Sequence, residues 1–67
     1  MIYLAENIKR LRHEKGWDRD ELAKRAKTTS IAMIEAGHVK SPQADTLERI
    51  AKVLNVTVAD LFAEPAK

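Results

Sequence analysis

The sequence predicts an all-α fold of five short helices around one hydrophobic core. Apolar residues recur with helical spacing in several segments, and the clearest stripe is formed by Leu47, Ile50, Ala51 and Leu54. Residue types that favour helix ends, namely Gly, Asp, Thr and Asn, stand between these segments. No segment alternates apolar and polar residues over the length of a strand, so no sheet is expected.

The first helix is predicted to run from about residue 4 to about residue 15. Leu4, Ile8 and Leu11 recur at i, i+4 and i+7 and therefore share one face. Gly16 is suited to the left-handed conformation that commonly ends a helix. Trp17 is large and apolar, and we expect it to anchor the following turn in the core.

The second helix is predicted over residues 19–26. Asp18 is a good N-cap for this helix, because its carboxylate can accept a hydrogen bond from an amide of the first turn. Glu21, three residues later, completes an acidic analogue of the capping box. The residues expected to face the core are Leu22, Ala23 and Ala26.

The third helix is predicted over about residues 30–36. The Lys-Thr-Thr sequence of residues 27–29 interrupts the pattern before it, because threonines are poor helix-interior residues and good caps. Ile31 and Ile34 are spaced to face the core together. Gly37 is expected to close the helix.

The fourth and fifth helices complete the predicted fold. Ser41 is a plausible cap for the fourth helix, with Pro42 in its first turn and Asn55 in the left-handed position at its end. Thr57 and Asp60 have the spacing of a capping box and predict the start of the fifth helix. Leu61 and Phe62 are expected to seal the core, and Pro65 is expected to end this helix.

The length of 67 residues predicts a single domain over residues 1–67, with a core over about 4–62 and a frayed tail over 63–67. The sequence contains no cysteine, which excludes disulfides and thiolate metal sites. His13 and His38 are far apart in sequence, without the spacing of metal ligands, and we expect both at the surface. No metal and no cofactor are therefore expected.

Neither a targeting signal nor an enzyme is predicted. The N-terminus lacks the pattern of a signal peptide, and no apolar run approaches the roughly 20 residues of a membrane span. A cytoplasmic protein without a membrane partner is therefore expected. No nucleophile–base spacing stands out, and so small a domain has little pocket to exclude water. We expect no catalysis and no small-molecule substrate.

The charge is distributed unevenly along the chain. Residues 1–40 contain nine Lys and Arg residues against six acidic ones, whereas residues 41–67 contain three against four. The net charge of +2 thus conceals a basic N-terminal half. A basic half is suited to phosphate contacts, although an ordinary solvated helical surface explains the same charges.

Several stretches of the chain, read together, resemble the lambda-repressor-like helix-turn-helix family of Cro and repressor proteins. The first two helices match over residues 8–23, and the end of the third helix matches at residues 34–37. Further matches lie at residues 41–42, 45–57 and 60–62. The resemblance covers nearly the whole chain and implies a DNA-binding transcriptional regulator that binds double-stranded DNA as a homodimer.

The resemblance also implies roles for individual residues. In such a fold the third helix lies in the major groove and the second crosses the phosphate backbone, with its N-terminal amides attracting an anion. Arg19, Lys27 and Lys40 are then expected to contact phosphates. The residues expected to read bases, with modest discrimination, are Thr28, Thr29, Ser30 and Met33.

The sequence departs from the family pattern at the turn before the third helix. Two residues fewer separate the second helix from the end of the third, next to residues 28–30, and Lys27 replaces a glycine common in that turn. A stubby third helix is therefore expected. Its solvent-facing residues are expected to be Thr29, Ser30, Ala32, Met33 and Ala36.

Two functional hypotheses follow from this departure. None of the expected outward residues is Gln, Asn or Arg, the side chains that make bidentate base contacts. The first hypothesis is a DNA-binding regulator with sequence-specific or weakly specific readout through a shortened recognition helix. The second is a helix-turn-helix scaffold that has lost base readout and acts as a protein-interaction module through Ala32, Met33 and Ala36.

Overall fold

The computed structural model describes residues 3–39 and 42–64. These residues form five helices and no strand: α1 (Leu4–Glu14), α2 (Arg19–Ala26), α3 (Ile31–Glu35), α4 (Ala44–Leu54) and α5 (Val58–Phe62). The all-α fold with five short helices is therefore confirmed. Within these residues, no helix combines the length and the apolar character that a membrane crossing requires.

Every helix contributes to one core. The most deeply buried side chains include one from each helix, namely Ile8, Leu22, Ile34, Ile50 and Leu61, and none of these is more than 1% exposed. Full burial of such a side chain stabilises the fold by about 1.5–3 kcal/mol. α1 packs against α3 and α5, α2 against α3 and α4, and α4 against α5. The core thereby holds α2 and α3 against each other.

Four helices end in the same way. The residue after each last turn has a left-handed backbone: Gly16, Lys27, Gly37 and Asn55, with φ between 55° and 81°. The next amide donates back to a carbonyl five residues earlier, as Thr28 N does to Ala23 O at 3.0 Å. This Schellman arrangement satisfies carbonyls that a helix end would leave free. The sequence-based predictions for Gly16, Gly37 and Asn55 are confirmed.

The helix starts agree with the predictions only in part. The capping box of Thr57 and Asp60 is complete, with hydrogen bonds of 3.1 and 3.0 Å. The Asp18 carboxylate accepts from the Glu21 amide at 2.7 Å, as predicted. The Glu21 side chain, however, accepts from Arg25 Nε at 2.6 Å instead of completing a box.

The start of α4 differs from the prediction. Pro42 does not lie in the first turn, because the helix begins at Ala44 and Gln43 is its N-cap. Gln43 has an extended backbone, with φ −63° and ψ 147°, so the chain becomes helical only after it. The predicted cap Ser41 and the predicted stop Pro65 lie outside the described residues.

A buried asparagine joins the two ends of the fold. Asn7 of α1 is fully buried, and its Nδ2 donates to the carbonyls of Leu61 and Ala63 at 2.8 Å each. The amide thus donates to carbonyls at the C-terminal end of α5, which find no backbone donor within so short a helix. Nothing in the sequence pattern singled out Asn7, because its partners are backbone atoms more than fifty residues away.

Replacing Lys27 by glycine is expected to stabilise the fold. A left-handed backbone costs an ordinary residue roughly 1–2 kcal/mol, and the freer unfolded chain of glycine cancels part of that gain. We therefore expect Lys27→Gly to raise the free energy of unfolding by about 0.5–1 kcal/mol, measured by urea denaturation. Lys24→Gly removes the same charge from the interior of α2 and should lower it by about 1 kcal/mol. A less stable Lys27→Gly variant would contradict the role assigned to this turn.

Candidate nucleic-acid interface

The short helix α3 has one side in the core and one side in solvent. Ile31 and Ile34 are each 1% exposed, whereas Met33 is 50% exposed. Ala32 and the capping residue Ala36 are exposed on the same outward side. The predicted set of outward residues is therefore nearly right, and Thr29 in the preceding turn is exposed as well. Ser30, also in that set, is instead half-buried.

A buried ion pair fixes the orientation of α3. Arg12 of α1 donates from Nε and Nη2 to the two carboxylate oxygens of Glu35, at 2.8 and 2.9 Å. The Arg12 Nη1 donates to the carbonyl of Trp17 at 2.9 Å. The side chains of Arg12 and Glu35 are only 8% and 6% exposed. Three bonds from one rigid guanidinium therefore tie α1, the α1–α2 turn and α3 together.

The environment of Arg12 stabilises its charged form. The hydrogen bonds that Arg12 donates to Glu35 raise the pKa of Arg12 above its ordinary value, against the opposing effect of burial, and the charges of Glu35 and Asp18 add to the rise. The partnership with Glu35 therefore favours the cationic form of Arg12 in spite of its burial.

A second set of contacts holds α2 against the turn that precedes it. The Arg25 guanidinium lies 4.5 Å from the centroid of the Trp17 ring, within the range of a cation–π interaction. The same guanidinium donates to Glu21 one turn earlier. Trp17 itself is half-buried and packs against the core, as the sequence predicts. The contact between Arg25 and Trp17 therefore helps to position α2, in addition to the packing of α2 in the core.

Two lysines lie at the turn that leads from α2 into α3. A surface depression at the α2–α3 turn is lined by six residues, namely Asp20, Ala23, Lys24, Lys27, Thr28 and Thr29. Two cations and one acid thus meet around the two threonines. The structure brings together three of the residues that the sequence nominated, Lys27, Thr28 and Thr29, and adds Lys24 to them.

Cations also lie beside the other end of α3. A second depression is lined by Lys9, Arg12, Arg19, Glu35 and Ala36. Arg12 and Glu35 neutralise each other there, so the charge of this depression comes from Lys9 and Arg19. Arg19 is exposed at the first position of α2, where the sequence argument expected a phosphate contact. The exposed face of α3 thus has positive charge at both ends.

The remaining nominated residues have different surroundings. The Thr28 hydroxyl accepts from the Ser30 amide at 3.2 Å, which shapes the turn into α3. Ser30 is half-buried and lines a separate depression together with Val39 and the start of α4. Lys40 lies outside the described residues. The structure therefore places Thr29 and Met33 at the outer surface, with Thr28 and Ser30 behind them.

The N-terminus of α2 already holds a carboxylate. The amide of Glu21, one of those that the sequence argument assigned to an anion, donates to Asp18. Asp20 is exposed in the same turn. The positive charge available at this end of α2 therefore comes from the side chains of Arg19 and Lys9 more than from that amide.

Two neighbouring helices joined by a short turn, with the second presenting one face to solvent, define a helix-turn-helix protein. A family model described as helix-turn-helix matches residues 8–61. The chain belongs to the helix-turn-helix family, which confirms the resemblance inferred from the motifs. No match was found among the curated proteins.

A solved structure similar to this chain is the N-terminal DNA-binding domain of SinR from Bacillus subtilis. The two are 32% identical in sequence, and the match covers 96% of each chain with a TM-score of 0.87. Similarity over almost the full length of both chains includes the order and the packing of all five helices.

Breaking the buried ion pair is expected to destabilise the domain strongly. Glu35→Ala leaves the Arg12 charge buried without its partner, which costs about 3–5 kcal/mol in the free energy of unfolding. Glu14→Ala removes an exposed partner of Arg10 and should cost about 0.5 kcal/mol or less. Thermal unfolding of both variants, followed by circular dichroism, measures the difference.

The double variant Arg12→Met/Glu35→Leu tests the cause of that loss. The double variant contains neither charge, so no unpaired ion remains in the core. It should therefore be clearly more stable than Glu35→Ala. Equal destabilisation of the double and the single variants would show that the unpaired charge does not account for the loss.

Proposed function

We propose that this protein is a DNA-binding transcriptional regulator that places α3 in the major groove of double-stranded DNA. The observation that supports this proposal most directly is the pair of cationic depressions at the two ends of the exposed face of α3. A helix entering the major groove has a phosphate chain on either side of it. The cations at the two ends of α3 are available for contacts with these phosphate chains.

The phosphate contacts in this proposal come from both helices next to α3. Lys9 and Arg19 contact phosphates near one end of α3, and Lys24 and Lys27 contact phosphates near the other end. Lys40 is a further phosphate contact in this proposal. These contacts are independent of base sequence and make the affinity depend steeply on salt.

The base contacts in this proposal are few. Thr29 and Met33 are exposed and would touch base edges directly, with Thr28 and Ser30 acting mainly by shaping the start of α3. No amide or guanidinium side chain lies among these four residues. Bidentate bonds to guanine or adenine are therefore not part of the proposed readout, and the specificity from hydrogen bonds is weak.

A protein-interaction module is the alternative function, and one observation favours it. Met33 is half exposed between Ala32 and Ala36, and an exposed methionine adapts readily to an apolar partner. The two functions differ in one measurable respect. A DNA-binding domain with cationic flanks binds random duplex at low salt, whereas a module without a nucleic-acid role does not.

We further propose that the protein binds DNA as a homodimer. α3 has five residues, and at about 1.5 Å per residue it is about 7.5 Å long. That length spans roughly two base pairs of about 3.4 Å each. A single copy thus contacts too few base pairs to define a site. Two copies on half-sites one helical turn apart double the number of base pairs contacted.

Replacing Arg19 tests the DNA-binding proposal. Arg19→Ala should weaken binding to specific and random duplexes alike and should reduce the slope of log affinity against log salt by about one. Fluorescence anisotropy with a labelled random duplex at several salt concentrations measures this slope.

Lys52→Ala is the matched control for Arg19→Ala. It removes one exposed cation from α4. Lys52 lies six residues, or about 9 Å of helix, beyond Thr46, which lines a depression together with Ser30. Its salt slope should equal that of the unchanged protein. Absence of binding by the unchanged protein at low salt would refute the DNA-binding function and favour the interaction module.

Sedimentation velocity tests the homodimer. At high protein concentration, or on duplex DNA, the sedimenting species should contain two chains of 7.6 kDa each. A single chain at every concentration, both free and on DNA, would exclude a dimer and leave the DNA-binding function intact.

A further inference from the structure

The outward side of α3 has an unusual chemistry for a surface that contacts DNA. Its exposed groups are the methyls of Ala32 and Ala36 and the thioether chain of Met33, with Thr29 beside them. The polar residue of α3, Glu35, is turned inward and bonded to Arg12. Among the described residues of this helix, the outward side therefore offers no hydrogen-bond donor from a side chain.

One feature of the major groove is recognised without hydrogen bonds. Guanine, adenine and cytosine present donors and acceptors there, whereas thymine also presents its C5-methyl group. An apolar side chain gains affinity by burying that methyl against itself. The apolar surface of α3 itself is therefore complementary to thymine methyls, and Thr29 beside it adds at most a single hydroxyl to the readout.

The charges beside α3 indicate that its apolar surface meets DNA and not another apolar protein surface. Lys24 and Lys27 lie at one end and Lys9 and Arg19 at the other. A protein partner would have to provide acids at both ends of an apolar centre. A duplex provides phosphates on both sides of the groove and methyl groups on its floor wherever thymine occurs.

We infer that α3 selects DNA by the C5-methyl groups of pyrimidines in the major groove, with Met33 as the main specificity-determining residue. This inference rests on the proposed DNA-binding function and adds the class of sequence that is bound. The preferred half-sites are rich in thymine at the two base pairs that α3 spans. Cytosine methylated at C5 presents the same group at the same position and is read in the same way.

Replacing thymine by uracil tests the inference with the full chain. Two 20-base-pair duplexes of identical mixed A·T sequence are compared, one with thymidine and one with deoxyuridine, which changes only the methyl groups. Each buried methyl is worth about fourfold in affinity, the equivalent of about 0.8 kcal/mol. With two methyls in contact, the thymine duplex should bind on the order of 15-fold more tightly.

A second pair of duplexes adds the methyl group instead of removing it. An all-G·C duplex is compared with the same duplex carrying 5-methylcytosine, and the methylated form should bind more tightly. Binding is measured by anisotropy at low salt, and the salt slope is recorded for every duplex.

Substitutions at Met33 separate the methyl contact from the shape of the DNA. Met33→Ala removes most of the apolar contact, and because the residue is half exposed the fold should tolerate the change. The thymine preference should then fall to about fourfold or less, while the salt slope stays the same. Met33→Leu keeps an apolar side chain of similar size and should retain most of the preference.

The outcomes distinguish this inference from the proposed function. Salt-dependent binding with equal affinity for thymine and uracil duplexes would overturn methyl recognition and leave DNA binding in place. A thymine preference that is unchanged in Met33→Ala would come from DNA shape and would also overturn it. Failure to bind any duplex at low salt would refute the DNA-binding function itself.

Discussion

One guanidinium holds together the three segments on which the candidate interface depends. Arg12 belongs to α1, yet it bonds to the Trp17 carbonyl before α2 and to both carboxylate oxygens of Glu35 in α3. The donors of a guanidinium form a rigid planar fork, so all three acceptors are satisfied in a single relative arrangement of these segments. A pair of charges with so little water around it adds little net stability, but separating the charges is costly. The ion pair therefore acts mainly as a constraint on the orientation of α3.

That constraint matters because α3 is too short to be stable as an isolated helix. Helices below about 12–15 residues are marginal in water, and α3 has five residues. It is helical because Ile31 and Ile34 are buried, Glu35 is bonded to α1, and Gly37 ends the helix with a left-handed turn. Once these groups face inward, Met33 has no position except the outer surface. The residues exposed on α3 are thus determined by which of its other residues are buried or bonded to α1.

The electrostatics of the interface also depend on packing. The basic half of the chain contains several acids, and three of them are bonded to arginines, namely Glu14, Glu21 and Glu35. The cations beside α3 come from separate parts of the sequence and are brought together by the way α1 and α2 pack against α3. A net charge of +2 is too small to indicate nucleic-acid binding, whereas cations at both ends of one exposed helix are a local feature of the folded surface.

The sequence by itself determined the features that depend on neighbouring residues. Helical spacing and end signals such as Gly16, Asn55 and the Thr57–Asp60 box act within one or two turns, so the five helices and most of their ends were predictable. Only the tertiary structure decided which side chains meet across the chain. The bonds of Arg12 to Glu35 join residues 23 positions apart, and those of Asn7 reach α5, so no local pattern could reveal them. The same reason explains why Lys9 and Lys24 were absent from the predicted site: a cation becomes part of an interface only when packing places it beside α3.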